Sequence, residues 1–249
     1  MKIKLNINWD IFFTEKVYRL VRTAGKSFVM AKFKPIVLNK EVVPKDGPII
    51  FTPNHRQTLD PFFIVATEKT PIHWAALKRF FTAKDSIFNN SKNPILCKFT
   101  ALLFRGIGAV PIDREKSNFD SVKKLNAYLR EGSSVGIFPE GTTNKKPEEQ
   151  DLLPLHLDLL RLAQRNDAWI QPISIVWTPK GSGLKNRVII NFRSPYKVGE
   201  MKREEASTIL TDALQSGIDE NKKIISNLQE IEDIVSNTEQ EKTLKLTIK

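Results

Sequence analysis

The chain has 249 residues, 41% of them hydrophobic, enough for one α/β domain with an appendage, built around a single core. Its one cysteine, Cys97, excludes an intramolecular disulfide framework and any multi-cysteine metal site, and its longest apolar runs fall short of the ~18 to 20 residues that a membrane-spanning helix needs. The formal charge of +11 is unevenly spread: the first forty residues hold seven Lys and two Arg against Asp10 and Glu15, a net of +7, so most of the excess is local.

That basic segment interleaves its charges with Trp9, Phe12, Phe13, Tyr18, Val21, Phe28 and Phe33, contains no Pro between 8 and 34, and reads as a helix. One face carries the aromatics and the other carries Lys16, Arg19, Arg22 and Lys26. An interfacial helix needs this composition, because apolar burial at the acyl boundary and attraction to anionic headgroups add together. The competing reading packs the helix on its own core and leaves a solvated basic face; the two are compatible. No secretory signal is legible, so a reducing compartment is expected.

Further along, strand 48–52 is followed by helix 61–68, strand 72–77, helix 94–104, strand 109–112 and helix 118–130, with Ser117 and Asp120 spaced like a capping box. A strand ending at Phe138, helix 155–164 and strands 170–177 and 187–192 complete the alternation. Segments 84–93 and 142–151 read as loops, 202–240 as helices with a charged surface, and the residues from Glu241 as a flexible tail. Strands alternating with helices predict an α/β fold whose mainly parallel sheet is covered by helices on both faces. The expected organisation is an N-terminal membrane-interacting helical segment (1–42), an α/β domain (43–200) and a C-terminal helical extension with its tail (201–249).

The candidate site comes from two segments that each follow a buried-strand pattern. One is Pro53-Asn54-His55-Arg56-Gln57-Thr58-Leu59-Asp60, and the other is Phe138-Pro139-Glu140-Gly141-Thr142. Both emerge where ligands bind in open α/β sheets, at strand carboxyl ends. On a continuous helix, residues five apart point about 140° from each other, so His55 and Asp60 meet only if His55 lies in a loop and the chain turns before Asp60. Asp60-Pro61 supplies such a turn, with Asp as a helix N-cap and Pro at the first helical position. Asp60 is then a cap, or the carboxylate that orients one imidazole nitrogen of His55 and leaves the other as a base. No Gly-x-Ser-x-Gly elbow is present, and Cys97 falls within an amphipathic helix as a small packing residue, so the nucleophile is assigned to the substrate. A base activating a substrate hydroxyl at a membrane surface suits acyl transfer to an alcohol.

With these residues in view, Asn54 to Asp60 resembles the histidine-four-residues-aspartate motif of the glycerolipid acyltransferases, of the 1-acylglycerol-3-phosphate acyltransferase type. Gly108-Ala109-Val110-Pro111-Ile112-Asp113-Arg114 is similar to the family's second motif, Phe138 to Thr142 to its third, and Ile170-Gln171-Pro172-Ile173-Ser174 to its fourth, in the family's order. The resemblance implies that His55, oriented by Asp60, takes the proton from the free hydroxyl of a lysophospholipid, whose oxygen attacks the thioester of acyl-CoA or an acyl carrier protein. It implies that Asn54, Arg114, Glu140, Gly141 and Thr142 contribute to substrate binding, and that no metal or resident cofactor takes part, the thioester being a consumed co-substrate. An arginine suits a phosphate because its planar fork donates two parallel hydrogen bonds; a surface salt bridge of Arg114 with Asp113 or Glu115 is the plainer reading.

Two positions depart from the family pattern. Thr143 stands where an arginine usually follows the third motif, and Leu153-Pro154-Leu155-His156-Leu157-Asp158 replaces a Leu-Pro-Phe-Lys run. His156 reads as a packed or half-exposed helical histidine, and His73 as a structural one. Three functions are weighed: an acyltransferase on the cytoplasmic face of an anionic membrane; a relative that acts on another lysolipid or binds lipid without turnover; and, last, a nucleic-acid-binding protein. The last is suggested by net charge alone, since the aromatics cluster with apolar residues instead of studding a basic nucleic-acid motif.

Overall fold

The computed structural model describes residues 9–82, 93–113, 118–178 and 187–247, and the side chains of those ranges between 16 and 231. Eight strands form one sheet in the order β1-β7-β6-β2-β5-β3-β4, with β8 paired to the start of β6. The strands are β1 (Ile36–Leu38), β2 (Ile49–Pro53), β3 (Ile72–Leu77), β4 (Val110–Ile112), β5 (Ser134–Gly136), β6 (Trp169–Trp177), β7 (Val188–Phe192) and β8 (Tyr196–Lys197). All pairings are parallel except those of β6 with β7 and with β8.

Both faces of the sheet are covered, and the period-2 alternation of strand side chains assigns residues to each. Ile49, Phe51, Ile72, Trp74, Ile173 and Ile175 face the cluster under α1 (Trp9–Phe33), α2 (Asp60–Thr67) and α3 (Pro94–Gly106). Ile50, Val110, Val135 and Ile170 face the opposite cluster, built with α4 (Phe119–Arg130), α5 (Asp158–Arg165) and α6 (Arg203–Thr247). The mainly parallel α/β sheet expected from the alternation is the fold observed.

α1 covers residues expected to be helical and turns one face inward. Tyr18 and Val29 are buried, and Phe33 meets Phe63 and Trp177 edge to face, with ring centroids 5.0 and 5.8 Å apart. Tyr18 donates to the carbonyl of Thr70, Arg22 to that of Glu68 and Lys40 to that of Thr67, so three side chains fill acceptors at and beyond the end of α2. Arg22 thus serves the fold instead of the solvated face assigned to it. Leu20, Phe28 and Met30 remain exposed.

Other differences follow from packing that a local pattern does not contain. Ile36–Leu38, read with the N-terminal helical segment, is an edge strand pairing with β7. In place of the several helices read over 202–240, a single helix runs from Arg203 to Thr247, into the residues read as a flexible tail. Its apolar row Ala206, Leu210, Leu214, Ile218 and Ile225 packs along the sheet. Helix α5 begins at Asp158 instead of residue 155, which leaves His156 outside it. Asn118 precedes α4, while Ser117 of the expected capping box lies outside the described residues, as does most of the expected loop 84–93.

Candidate active site

β2 and β5 are parallel neighbours, so the chain leaves both at the same edge of the sheet. The segments after them, separated by about eighty residues in sequence, therefore meet. Asn54 anchors the first: its side-chain amide donates to the carbonyl of Ile175 at 3.0 Å and its Oδ1 accepts from the Ile175 amide at 2.6 Å, prolonging the ladder to β6 after β2 has ended. Both ends of this fully buried side chain are engaged by backbone.

Asp60 is the first residue of α2, and its carboxylate turns back toward the preceding loop instead of capping its own helix. The Oδ2 atom accepts from the amides of Arg56 (2.6 Å) and Gln57 (2.7 Å) and lies 3.0 Å from His55 Nδ1. The indole Nε1 of Trp177 donates to Oδ1 at 3.0 Å. The carboxylate is fully buried and meets only N–H donors, an environment made for its charged form. Because an ionised carboxylate only accepts, the His55 proton belongs on Nδ1, leaving a lone pair on Nε2.

The rest of the histidine is held from the β5 side. Its ring stacks on Phe138 at a centroid distance of 4.0 Å, its amide donates to Glu140 Oε1 at 2.6 Å, and its carbonyl accepts from the Asn144 amide at 2.7 Å. The second oxygen of Glu140 accepts from the Leu153 amide at 3.0 Å. Burial raises the Glu140 pKa, opposed by those two amides and by the charge of nearby Arg56. Arg56 is itself buried, with its Nη2 3.8 Å from Asp151, which also pairs at 2.6 Å with Lys222 of α6. Glu140 therefore fastens the His55 loop to the 142–153 segment through backbone amides.

His55 stands on the wall of a cavity of about 600 Å³. The cavity is lined by the apolar Ala75, Ala76, Leu77, Phe80, Phe104 and Ile137 and by the polar or charged Arg79, Asp113, Thr143, His156 and Asp158. Gly141 lines it at φ +64°, and a Cβ there would come within 2.8 Å of the His156 ring. His156 is accordingly neither packed nor helical: it is an exposed loop residue whose amide is tied to the Pro139 carbonyl at 2.7 Å.

Of the residues selected from sequence, His55 and Gly141 line the cavity, Asn54, Asp60 and Glu140 are buried around it, and Thr142 is exposed beside it. Arg114 lies outside the described residues, adjacent in sequence to Asp113, which lines the cavity. Trp177, Asn144 and the cavity-lining His156 were not selected. Asn144 had a signal, as a turn-forming residue in a polar loop. Trp177 had none, since only the pairing of β2 with β6 brings it to Asp60 from 117 residues away. His73 packs against α4, stacked on Tyr128 at 3.7 Å with Nδ1 3.2 Å from the Gly108 carbonyl. Among the described residues no three His, Cys, Asp or Glu side chains gather in a metal-binding group, and no helix is long and apolar enough to cross a membrane.

A model of the acyltransferase family matches residues 34–176. A curated 1-acyl-sn-glycerol-3-phosphate acyltransferase of Bacillus subtilis is 25% identical over 210 residues, covering 82% of this chain and 96% of the relative. One of Borreliella burgdorferi is 24% identical over 200 residues, covering 76% and 73%. The crystal structure of the 1-acyl-sn-glycerophosphate (LPA) acyltransferase PlsC from Thermotoga maritima superposes with a TM-score of 0.59 at 21% identity, covering 83% of this chain and 81% of that one, a likeness of fold.

Proposed function

The chain belongs to the acyltransferase family, and on that premise we propose that it moves a fatty acyl group from acyl-CoA or acyl carrier protein to the free hydroxyl of 1-acylglycerol-3-phosphate, giving phosphatidic acid. The observation that carries this reading is the His55–Asp60 pair at 3.0 Å, with His55 on the wall of a cavity lined by both apolar and polar side chains. The names of the two curated relatives support the choice of acceptor.

In the proposed reaction, Nε2 of His55 takes the proton of the acceptor hydroxyl as its oxygen attacks the thioester carbonyl. Asp60 holds the ring in the correct tautomer and faces the imidazolium that forms. Collapse of the tetrahedral intermediate breaks the carbon–sulfur bond, and the imidazolium returns its proton to the leaving thiolate, releasing the ester and a free thiol. The thioester brings its own activation, so the scheme needs neither a metal nor a resident cofactor. The apolar residues of the cavity lining suit an acyl chain. Arg114, by its resemblance to the second-motif arginine, is assigned to the phosphate. Asn54 and Glu140 act by positioning the His55 loop, and Gly141 by leaving room for the His156 ring on the cavity wall, with Thr142 beside it. The protein is placed peripherally, on the cytoplasmic face of an anionic membrane.

The test is acyl transfer to lysophosphatidic acid in mixed micelles by the wild type and a His55→Ala variant. The expected loss is about 10²- to 10⁴-fold at an unchanged melting profile; full activity in the variant would sink the mechanism. Thr143 replaces a cation usual in the family and lines the cavity, which favours one alternative, a different lysolipid acceptor. Turnover confined to another lysolipid would establish it, and none with any acceptor would point to a non-catalytic lipid binder.

A further inference from the structure

The loop residue His156 has no part in the reaction as written above, yet the fold holds it at the site. Its backbone is fixed by the bond of its amide to the Pro139 carbonyl at 2.7 Å. Its ring is fixed against Gly141, where a Cβ would come 2.8 Å from Cδ2 and 2.9 Å from Nε2. The residue is nonetheless exposed and lines the His55 cavity. Among the described residues, neither ring nitrogen of His156 takes part in a hydrogen bond or an ion pair. Both are left for a molecule that enters the cavity.

Its place relative to His55 decides which part of that molecule it meets. The Gly141 amide donates to the Phe138 carbonyl at 3.0 Å, closing a β-turn whose two ends lie within ~7 Å of each other. Phe138 at one end carries the His55 ring, stacked at 4.0 Å, and Gly141 at the other carries the His156 ring. One turn thus presents two imidazoles to one cavity, and its Glu140 holds the His55 amide at 2.6 Å. In 1-acylglycerol-3-phosphate the free hydroxyl and the phosphate sit on neighbouring glycerol carbons, a separation that the turn can match. The carboxylates of the lining already face cations: Asp113 lies 3.4 Å from Lys78, and Asp158 3.4 Å from Arg203. An imidazolium donates from both nitrogens, and such charge-assisted bonds to phosphate are roughly twice as strong as neutral ones. We propose that His156 is an acceptor-binding residue, an N–H donor to the phosphate monoester of the lysolipid whose neighbouring hydroxyl His55 deprotonates. The proposal rests on the acyltransferase reading above and adds a second donor to the one assigned to Arg114. It also supplies a group able to carry charge where Thr143, on the same lining, offers a neutral hydroxyl.

The chain has three histidines, His55, His73 and His156, so NMR of the full chain with labelled histidine reads three ring signals, assigned with single substitutions. The probes are glycerol 3-phosphate, inorganic phosphate, glycerol and sodium chloride at matched ionic strength. Glycerol 3-phosphate is expected to shift the His156 signal saturably and to leave that of buried His73 unmoved; glycerol and chloride should do neither. A response confined to His55, or one reproduced by chloride, would overturn the proposal. Equal affinity for inorganic phosphate would overturn the assignment to a lipid headgroup. In acyl transfer to lysophosphatidic acid, His156→Ala should raise the acceptor KM about tenfold or more with a much smaller change in kcat. His156→Lys, which restores a cationic donor, should recover most of that loss. A wild-type KM in His156→Ala would overturn the proposal while leaving the acyltransferase reading in place. A saturable His156 shift in a protein that acylates no acceptor would keep the phosphate contact and discard that reading.

Discussion

Asp60 makes its four contacts with donors from four different residues: two loop amides, an indole and the imidazole. A buried carboxylate without such partners would be costly, and with them it defines a single ring position for His55. Gly141 complements it by the absence of a side chain. At φ +64° any other residue is strained, and the imidazole of His156 occupies the space of a Cβ. We expect Gly141→Ala to lower stability by about 1 kcal/mol from the backbone and to displace the His156 ring from the cavity wall. Made in a His156→Ala background, the same change should retain the backbone cost and lose the steric one. Urea denaturation of the four proteins of this cycle measures both; equal costs in the two backgrounds would show that the ring moves aside freely. The identities of His55 and Asp60 were legible from spacing and the adjacent Pro61. The direction in which Asp60 points was not, because a residue at a helix start can cap its own helix or the turn before it.

At the scale of elements, β3 and α4 illustrate a polar group absorbed by packing. Ile72 and Trp74 face the cluster under α1 to α3, while His73 between them faces Tyr128. Burial lowers the His73 pKa to about 4, partly opposed by its bond to the Gly108 carbonyl. A histidine kept neutral in the fold and free to protonate when unfolded makes stability fall as pH drops from about 6.5 toward 4. Over that window the contribution is about 3 kcal/mol. Stability of the wild type and of His73→Phe, measured by urea denaturation from pH 7 to pH 4, should diverge accordingly, with the phenylalanine variant lacking this share of the acid sensitivity. A parallel pH dependence in both proteins would show that another group is responsible. Six of the eight strands and the helices that start at Pro61 and Pro94 were legible from periodicity and proline placement, whereas β1, β8 and the unbroken length of α6 were not. The start of α5 was not, because Leu155 and Leu157 continue a helical pattern through a segment whose backbone is drawn to Pro139.

Across the whole molecule, α6 closes the face of the sheet opposite α1. Ser174 of β6 donates to the Leu214 carbonyl, and Asn221 donates to the Ser174 carbonyl, so buried polar contacts set its position along the strand. Leu214 is fully buried, and Leu214→Ala is expected to cost about 2–5 kcal/mol, read as a lower urea midpoint with an unchanged slope. A loss below about 1 kcal/mol would mean that the helix settles into the space. Lys222 of the same helix pairs with Asp151, which faces Arg56 behind the His55 loop, so the C-terminal helix braces the site from outside the span matched by the family model.

By itself, the sequence determined the class of fold and the family and singled out His55 and Asp60 as a pair, because these depend on periodicities and short motifs written within a few neighbouring residues. The tertiary structure alone decided which strands are neighbours, and with that the meeting of His55 with Phe138 and Glu140 and the delivery of Trp177 to Asp60. These are long-range pairings. They are set by the total burial of the core, a property of the whole packed chain that no local stretch of residues contains.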